Sequence, residues 1–308
     1  KMDSLELHKE KTLYVGIDEN DFATKELARK GYHVATYFPK RVYPVDLMRR
    51  LHTKLGYPYT RVWYGDWKKN ITDYDTVILL DAEWTPEAVR YINGLNEKIR
   101  VIVWYWNSIS NSVSLDKFDD CKCEFWSFDE NDCREHQLHY NTQFYSKGLV
   151  KEAKEPEYDV LFVGKDKGRL EELLSLESQM RALGVITNFY IVANKDRQIN
   201  KSEHYQKRVS YDTIVDMITK SRAIMDILTD NQKGLTLRPL EALFFSKKLI
   251  TNNKGIKSKD FYHPDNIFIL EEDAIAELPA FLNRPLHQFP SEILDKYDLE
   301  QWFARFFK

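Results

Sequence analysis

The chain has 308 residues, enough for two α/β domains of ordinary size. It is 43% hydrophobic and 14% aromatic, which can fill two cores and excludes a disordered chain. The formal charge is -3, with 45 Lys and Arg against 48 Asp and Glu, so a dedicated nucleic-acid binder is disfavoured while a local anion site is not.

The opening KMDSLELHKEK is charged and lacks the apolar core of a signal peptide. No run is long or apolar enough to span a bilayer. The expected location is the cytoplasm, with contact at the inner face of the cell membrane left open. Residues 13–15 predict a short strand, Gly16 its turn, and DFATKELARKG a helix ending near Gly31. HVATYF, 33–38, predicts a second strand, and 45–55 a helix. TVILLD, 76–81, predicts a buried strand ending in a carboxylate, and Pro86 the start of a helix running to about Glu97. VIVWYWN, 101–107, and CEFWSFD, 123–129, predict two more strands. Strands alternating with helices imply a mostly parallel sheet, whose ligands bind beyond the carboxyl ends of the strands. That directs attention to Asp18, Glu19, Asp81, Glu83, Trp106 and Asn107.

Cys121, Cys123 and Cys133 fit usual zinc spacing poorly and read as free thiols. The polar stretch 147–159, with Pro156, is the best linker. A second α/β series then opens with the strand YDVLFVG, 158–164, and the amphipathic helix 168–184. Residues 188–193 and 223–228 predict strands, 212–220 a helix, and 231–253 a loop, helix and strand. NIFIL, 266–270, predicts a last strand, and 298–307 a terminal helix. The expected domains are 1–150 and 151–297, with 298–308 a helix crossing back to the first.

Two loops of the second domain carry the chemistry. In DNQKGLTLRPLE, 230–241, Gly234 allows a tight turn and close backbone approach. Thr236 is positioned to cap the following helix, whose first amides suit a diphosphate. Arg238 adds a fork of donors, and Glu241 can accept from both hydroxyls of a ribose. In VGKDKGR, 163–169, Lys165, Lys167 and Arg169 precede a helix and can meet phosphates. The alternatives are an ordinary capped helix and a charged surface loop. Neither a complete triphosphate loop nor a complete dinucleotide fingerprint is present.

The run YDTIVDMITKSRAIMDILTDNQKGLTLRPLEALFFSKKLITNN, 211–253, resembles the donor-binding segment of bacterial glycosyltransferases of the B fold, in particular those of capsule and lipopolysaccharide synthesis. The resemblance covers about 150–307 and is weaker before it. It implies two Rossmann-like domains facing across a cleft, with nucleotide sugar on the C-terminal one and acceptor on the N-terminal one. It implies Glu241 on the ribose, the backbone of Thr236 and Leu237 on the diphosphate, cations Lys165, Lys167 and Arg169 in the first loop, and Tyr211 near the base. The expected partners are a nucleoside-diphosphate sugar donor and a saccharide or lipid-linked saccharide acceptor. Many retaining members carry an acidic residue where this chain has Lys233, so the stereochemical class stays open and Lys233 becomes a phosphate-contact candidate.

Transfer places charge on the departing diphosphate, which helix amides and cations can stabilise, so no obligatory metal or other cofactor is expected. An inverting reaction needs a base on the acceptor side. Asp18 and Glu19, after the first strand, are the candidates, with Asp81 and Glu83 behind them. Trp104, Tyr105, Trp106, Trp63 and Tyr64 form either a sugar platform or core. The aromatic terminal helix either packs between domains, the preferred reading, or sits beside a lipid-linked acceptor. A nucleotide-sugar epimerase or hydrolase, and a non-catalytic glycan- or nucleotide-binding protein, are the rival readings.

Overall fold

The computed structural model describes residues 4–40, 44–57, 59–194, 202–229 and 234–308. The chain divides into two compact units, one of Lys1–Thr142 with Phe303–Lys308 and one of Gln143–Trp302.

The first unit runs α1 (Ser4–Glu10), β1 (Thr12–Gly16), α2 (Phe22–Arg29), β2 (His33–Thr36), α3 (Val45–Lys54), β3 (Thr76–Leu80), α4 (Thr85–Leu95), β4 (Arg100–Tyr105), β5 (Glu124–Ser127), α5 (Glu130–His136) and β6 (His139–Tyr140). Its six strands are all parallel, in the order β2-β1-β3-β4-β5-β6. A parallel sheet covered on both faces needs strands that are apolar throughout. TVILL of β3 is buried at every position, as is VIVWY within β4. Trp104, Tyr105 and Tyr64 lie in this buried interior, which excludes them as a sugar platform. Helix α1 was not expected from the charged opening; its His8 ring stacks on Phe307, with centroids 4.1 Å apart.

Gly16 ends β1 because nothing larger fits. A Cβ there would lie 2.0 Å from Thr24 Oγ1, at the close crossing of strand end and helix start. Asp21 caps α2, accepting from Thr24 N at 2.7 Å and Thr24 Oγ1 at 2.8 Å.

The second unit runs β7 (Tyr158–Lys165), α6 (Leu170–Ala182), β8 (Thr187–Val192), β9 (Tyr205–Gln206), α7 (Tyr211–Thr219), β10 (Ser221–Asp226), α8 (Leu237–Phe244), β11 (Lys248–Thr251), β12 (Ile267–Ile269), α9 (Leu278–Asn283), α10 (Ser291–Tyr297) and α11 (Leu299–Arg305). The strands are again all parallel, ordered β12-β11-β10-β7-β8-β9. Counted within the unit this is the doubly wound dinucleotide-fold order, which reverses direction between β7 and β10. The aromatic end of the chain packs inward: Trp302, Phe303 and Phe306 are 0%, 2% and 1% exposed. Arg100 fixes the last residues to the first unit, donating from Nη1 to Phe306 O at 2.6 Å while its other nitrogens hold Glu124.

Candidate functional site

In an open parallel sheet the two loops leaving the reversal point diverge and open a crevice at the strands' carboxyl ends. In the second unit those loops follow β7 and β10, and they are the two stretches that carry the cations and the helix start.

The loop after β7 turns through Lys167 and Gly168, both with left-handed backbone at φ +49° and +85°. Gly168 takes that geometry freely; Lys167 is held in it by its amide, which donates to Asn194 Oδ1 at 3.0 Å. Asp166 is buried and stabilises the turn, accepting from Gly168 N at 3.3 Å and from the Tyr205 hydroxyl. Arg169 ties the edge together through carbonyls: Asp166 O at 3.0 Å, Lys165 O at 3.2 Å, and Ile227 O. Its charge therefore sits beside the crevice, held by three bonds to neutral carbonyls. Burial pushes the Lys167 ammonium and the Arg169 guanidinium below their ordinary values, and for Lys167 the neighbouring Arg169 adds to the effect. Lys165 and Lys167 are exposed at this edge and Arg169 is half-buried, so the like charges face solvent where a polyanion can meet them.

The loop after β10 approaches the same point. Arg238, in the first turn of α8, donates from Nη2 to Val163 O at 3.0 Å, which pins the helix start against β7. Thr236 occupies the cap position, yet its hydroxyl makes no cap bond. It donates instead to Asp226 Oδ2 at 2.7 Å. This corrects the expected capping role, and it leaves the first amides of α8, those of Leu237 and Arg238, without a side-chain cap. Burial raises Asp226 above the ordinary carboxylate range. Gly234 and Leu237 are half-buried beside Thr236; Lys233 lies outside the described residues.

Glu241 is 0% exposed. Its Oε1 accepts from the Tyr211 hydroxyl at 2.7 Å, and its Oε2 from Arg238 Nη1. With the single Tyr211 proton on Glu241, the Tyr145 hydroxyl, 2.8 Å away, donates to the Tyr211 oxygen. Both carboxylate oxygens are engaged inside the fold, and the Tyr211 hydroxyl is committed to the same network. As the side chains stand, Glu241 holds Arg238 and Tyr211 in place and presents no open surface to a ribose. Arg238, likewise, points its fork at Glu241 and Val163.

Sequence reasoning missed Asp166, Asn194, Tyr205, Asp226 and Tyr145. Asp226 was legible by the rule that picked out Asp81: a carboxylate ending an apolar strand. Tyr145 and Tyr205 carry no local signal, because only the fold brings them to this network. A pocket of about 110 Å³ in this unit, lined by Ala242, Leu243 and Phe261, lies along α8 away from these loops and contains none of the cations.

The corresponding reversal in the first unit lies between β1 and β3. Asp18 and Glu19 are exposed there. Asp18 Oδ1 accepts from Asn20 N at 2.9 Å, and Glu19 pairs loosely with Lys40 at 3.6 Å. Both line an open pocket of about 390 Å³ with Phe38, Lys40, Arg49 and Trp84. Asp81, after β3, is buried and accepts from Trp106 N at 3.0 Å, and burial raises it. It ties the carboxyl end of β3 to the residue that follows β4; Glu83 is exposed and lines a second pocket with Tyr57 and Arg90.

The three cysteines are free, and burial pushes the Cys123 thiol up to about 12 and that of Cys133 to about 11. Among the described residues no group of His, Cys, Asp and Glu is placed to hold a metal ion, and no helix is long and apolar enough to cross a membrane.

No protein-family model matches the chain, and a search of curated proteins finds no match. Solved structures do match over nearly its whole length. Anabaena Alr3699/HepE in complex with UDP and glucose is similar at TM-score 0.55 and 9% identity, covering 96% of this chain and 95% of that one. The DNA-modifying enzyme β-glucosyltransferase, solved with and without uridine diphosphoglucose, gives 0.51 and 14%, covering 96% and 98%. The apo form of the lipopolysaccharide outer core galactosyltransferase WaaB gives 0.50 and 13%, covering 96% and 97%. At such identities the likeness is one of fold: the chain is an α/β protein of two Rossmann-like domains, with a glycosyltransferase B-like architecture.

Proposed function

We propose that the chain is a glycosyltransferase that moves a sugar from a nucleoside diphosphate to an acceptor hydroxyl, with a saccharide or lipid-linked saccharide of a bacterial surface polysaccharide as acceptor. The observation that carries this reading is the convergence, at the reversal point of the second sheet, of a cation loop and a helix start without a side-chain cap. Breaking the glycosidic bond to the diphosphate leaves negative charge on its oxygens, and fixed cations and amides already aimed at that place stabilise it. Lys165 and Lys167 meet the diphosphate together with the amides of Leu237 and Arg238. Arg169 adds its charge beside them, with N–H donors beyond its three carbonyl bonds to offer the phosphates. Glu241 acts by holding Arg238 and Tyr211, and reaches a ribose only if that network opens. Similarity in fold to proteins solved with UDP and glucose or with uridine diphosphoglucose supports a uridine nucleotide as the first ligand to try. On this reading the acceptor lies on the first unit beside Asp18 and Glu19, either of which can take its proton.

Calorimetric titration with UDP, GDP, dTDP and CMP tests the reading. Selective binding of one nucleoside diphosphate, weakened in Lys167→Met, supports it; a folded protein that binds none of them overturns the donor site. Product analysis with the matching sugar nucleotide then separates transfer from hydrolysis or epimerisation of the donor.

A further inference from the structure

Helix α3 is built inside out. It has no buried residue, unlike helices α2 and α4. Placed on a helical wheel, Leu47, Leu51, Leu55 and Met48 span an arc of roughly 100°. All four are exposed, at 41%, 51%, 62% and 60%. The polar face turns inward: Arg49 stacks its guanidinium 4.7 Å from the Phe38 ring centroid and bonds Asp46 at 2.7 Å. Ordinary amphipathic helices of soluble proteins do the reverse.

The apolar strip continues past the helix through Tyr57, Tyr59 and Val62, exposed at 58%, 62% and 57%. A run of exposed large apolar side chains this dense marks a contact surface. Its charge says which kind. Residues 44–57 and 59–64 hold four cations, Arg49, Arg50, Lys54 and Arg61, against the single anion Asp46, in a chain of net charge -3. Arg50 and Lys54 are exposed along one border of the apolar arc. Apolar side chains flanked by basic ones, with Tyr at the edge, are what a helix lying in an anionic bilayer interface requires.

We infer that α3, with Leu55, Tyr57, Tyr59 and Val62 after it, forms a docking surface for an anionic lipid membrane. Apolar side chains enter the headgroup and acyl boundary while Arg50, Lys54 and Arg61 meet lipid phosphates. Asp46, Arg49 and Arg50 line the pocket that holds Asp18 and Glu19, so the surface borders that pocket. On the transferase reading proposed above, this places the acceptor site at the bilayer; the docking surface itself does not depend on that reading.

The test is co-sedimentation of the whole chain with vesicles of phosphatidylcholine alone, or mixed three to one with phosphatidylglycerol. Wild type should bind the mixed vesicles at least about tenfold more tightly than the neutral ones, and rising salt should erase the difference. Met48→Glu/Leu51→Glu should lose binding to both. Arg50→Glu/Lys54→Glu should lose only the preference for anionic lipid. Ile186→Glu, an equally exposed apolar site at 60% in the second unit, should bind as wild type. Absence of wild-type binding to either vesicle overturns the inference, as does undiminished binding by Met48→Glu/Leu51→Glu. Self-association that the same double substitution abolishes, without vesicle binding, also overturns it and assigns the face to a second copy. UDP titration of the same variants reads the donor site separately, so its failure leaves the vesicle result standing.

Discussion

Arg238 and Glu241 lie three residues apart on α8 and form an ion pair in which the carboxylate is fully buried. Truncating one member of such a pair leaves the other charge without its partner in a poor solvent for charge. Glu241→Ala should therefore cost about 3 kcal/mol or more of stability. Any loss of nucleotide binding in that variant is then confounded with damage to the fold. Replacing both partners, as in Arg238→Met/Glu241→Leu, should cost clearly less than Glu241→Ala alone. Urea unfolding of the three proteins checks this, and a double variant as unstable as the single one would refute the account.

Gly16 and Thr24 make the equivalent constraint in the first unit. A methyl group at position 16 collides with Thr24 Oγ1, which is already bonded to the cap residue Asp21. Gly16→Ala should destabilise by about 2 kcal/mol. Thr24→Ala removes the obstructing oxygen and its cap bond, so the two substitutions together should cost less than the sum of each. Thermal denaturation of the four proteins in the cycle measures the coupling; additive costs would mean the close approach is relaxed elsewhere.

Asp226 gives the protein a pH dependence of predictable sign. Burial raises its folded value above that of the unfolded chain. A raised group contributes stability that is fully present below its unfolded value and is lost as pH rises through the folded one. Stability relative to Asp226→Asn should thus fall from the ordinary carboxylate range upward toward the raised value, and level off beyond it. Denaturant unfolding of both proteins from acidic to neutral pH reads the difference. A difference that does not change with pH would show that Asp226 titrates alike in both states.

The strands were legible because parallel strands covered on both faces are apolar at every position, so TVILL and VIVWY declare themselves without any alternation to decode. The cation loop and the helix start were legible as pieces, and their meeting follows from the strand order. What local pattern could not reveal was the use of each polar group. Thr236 reads as a cap, yet a buried acceptor, Asp226, competes for its hydroxyl. Glu241 reads as a ligand group, yet Tyr211, thirty residues earlier, takes one oxygen. Helix α3 was expected over 45–55, but which of its faces turns inward depends on Phe38 and the pocket it borders.

Lys167 links the candidate donor site to pH in a way a mere surface lysine would not. Burial and the neighbouring cations Arg169 and Lys165 depress its folded value, so it begins to lose its proton at a lower pH than an ordinary lysine. In the free protein the unfolded chain then holds more protons across that window, and this group makes stability rise with pH there. A bound diphosphate favours the charged ammonium and reverses the depression. Nucleotide binding at alkaline pH should therefore take up a proton, and affinity should fall as pH rises through the depressed value. Calorimetry in two buffers of different ionisation enthalpy measures the uptake directly. Lys167→Met should bind roughly tenfold more weakly at neutral pH and show neither the uptake nor the alkaline fall. Retention of both in that variant would move the titrating group elsewhere and take Lys167 off the diphosphate.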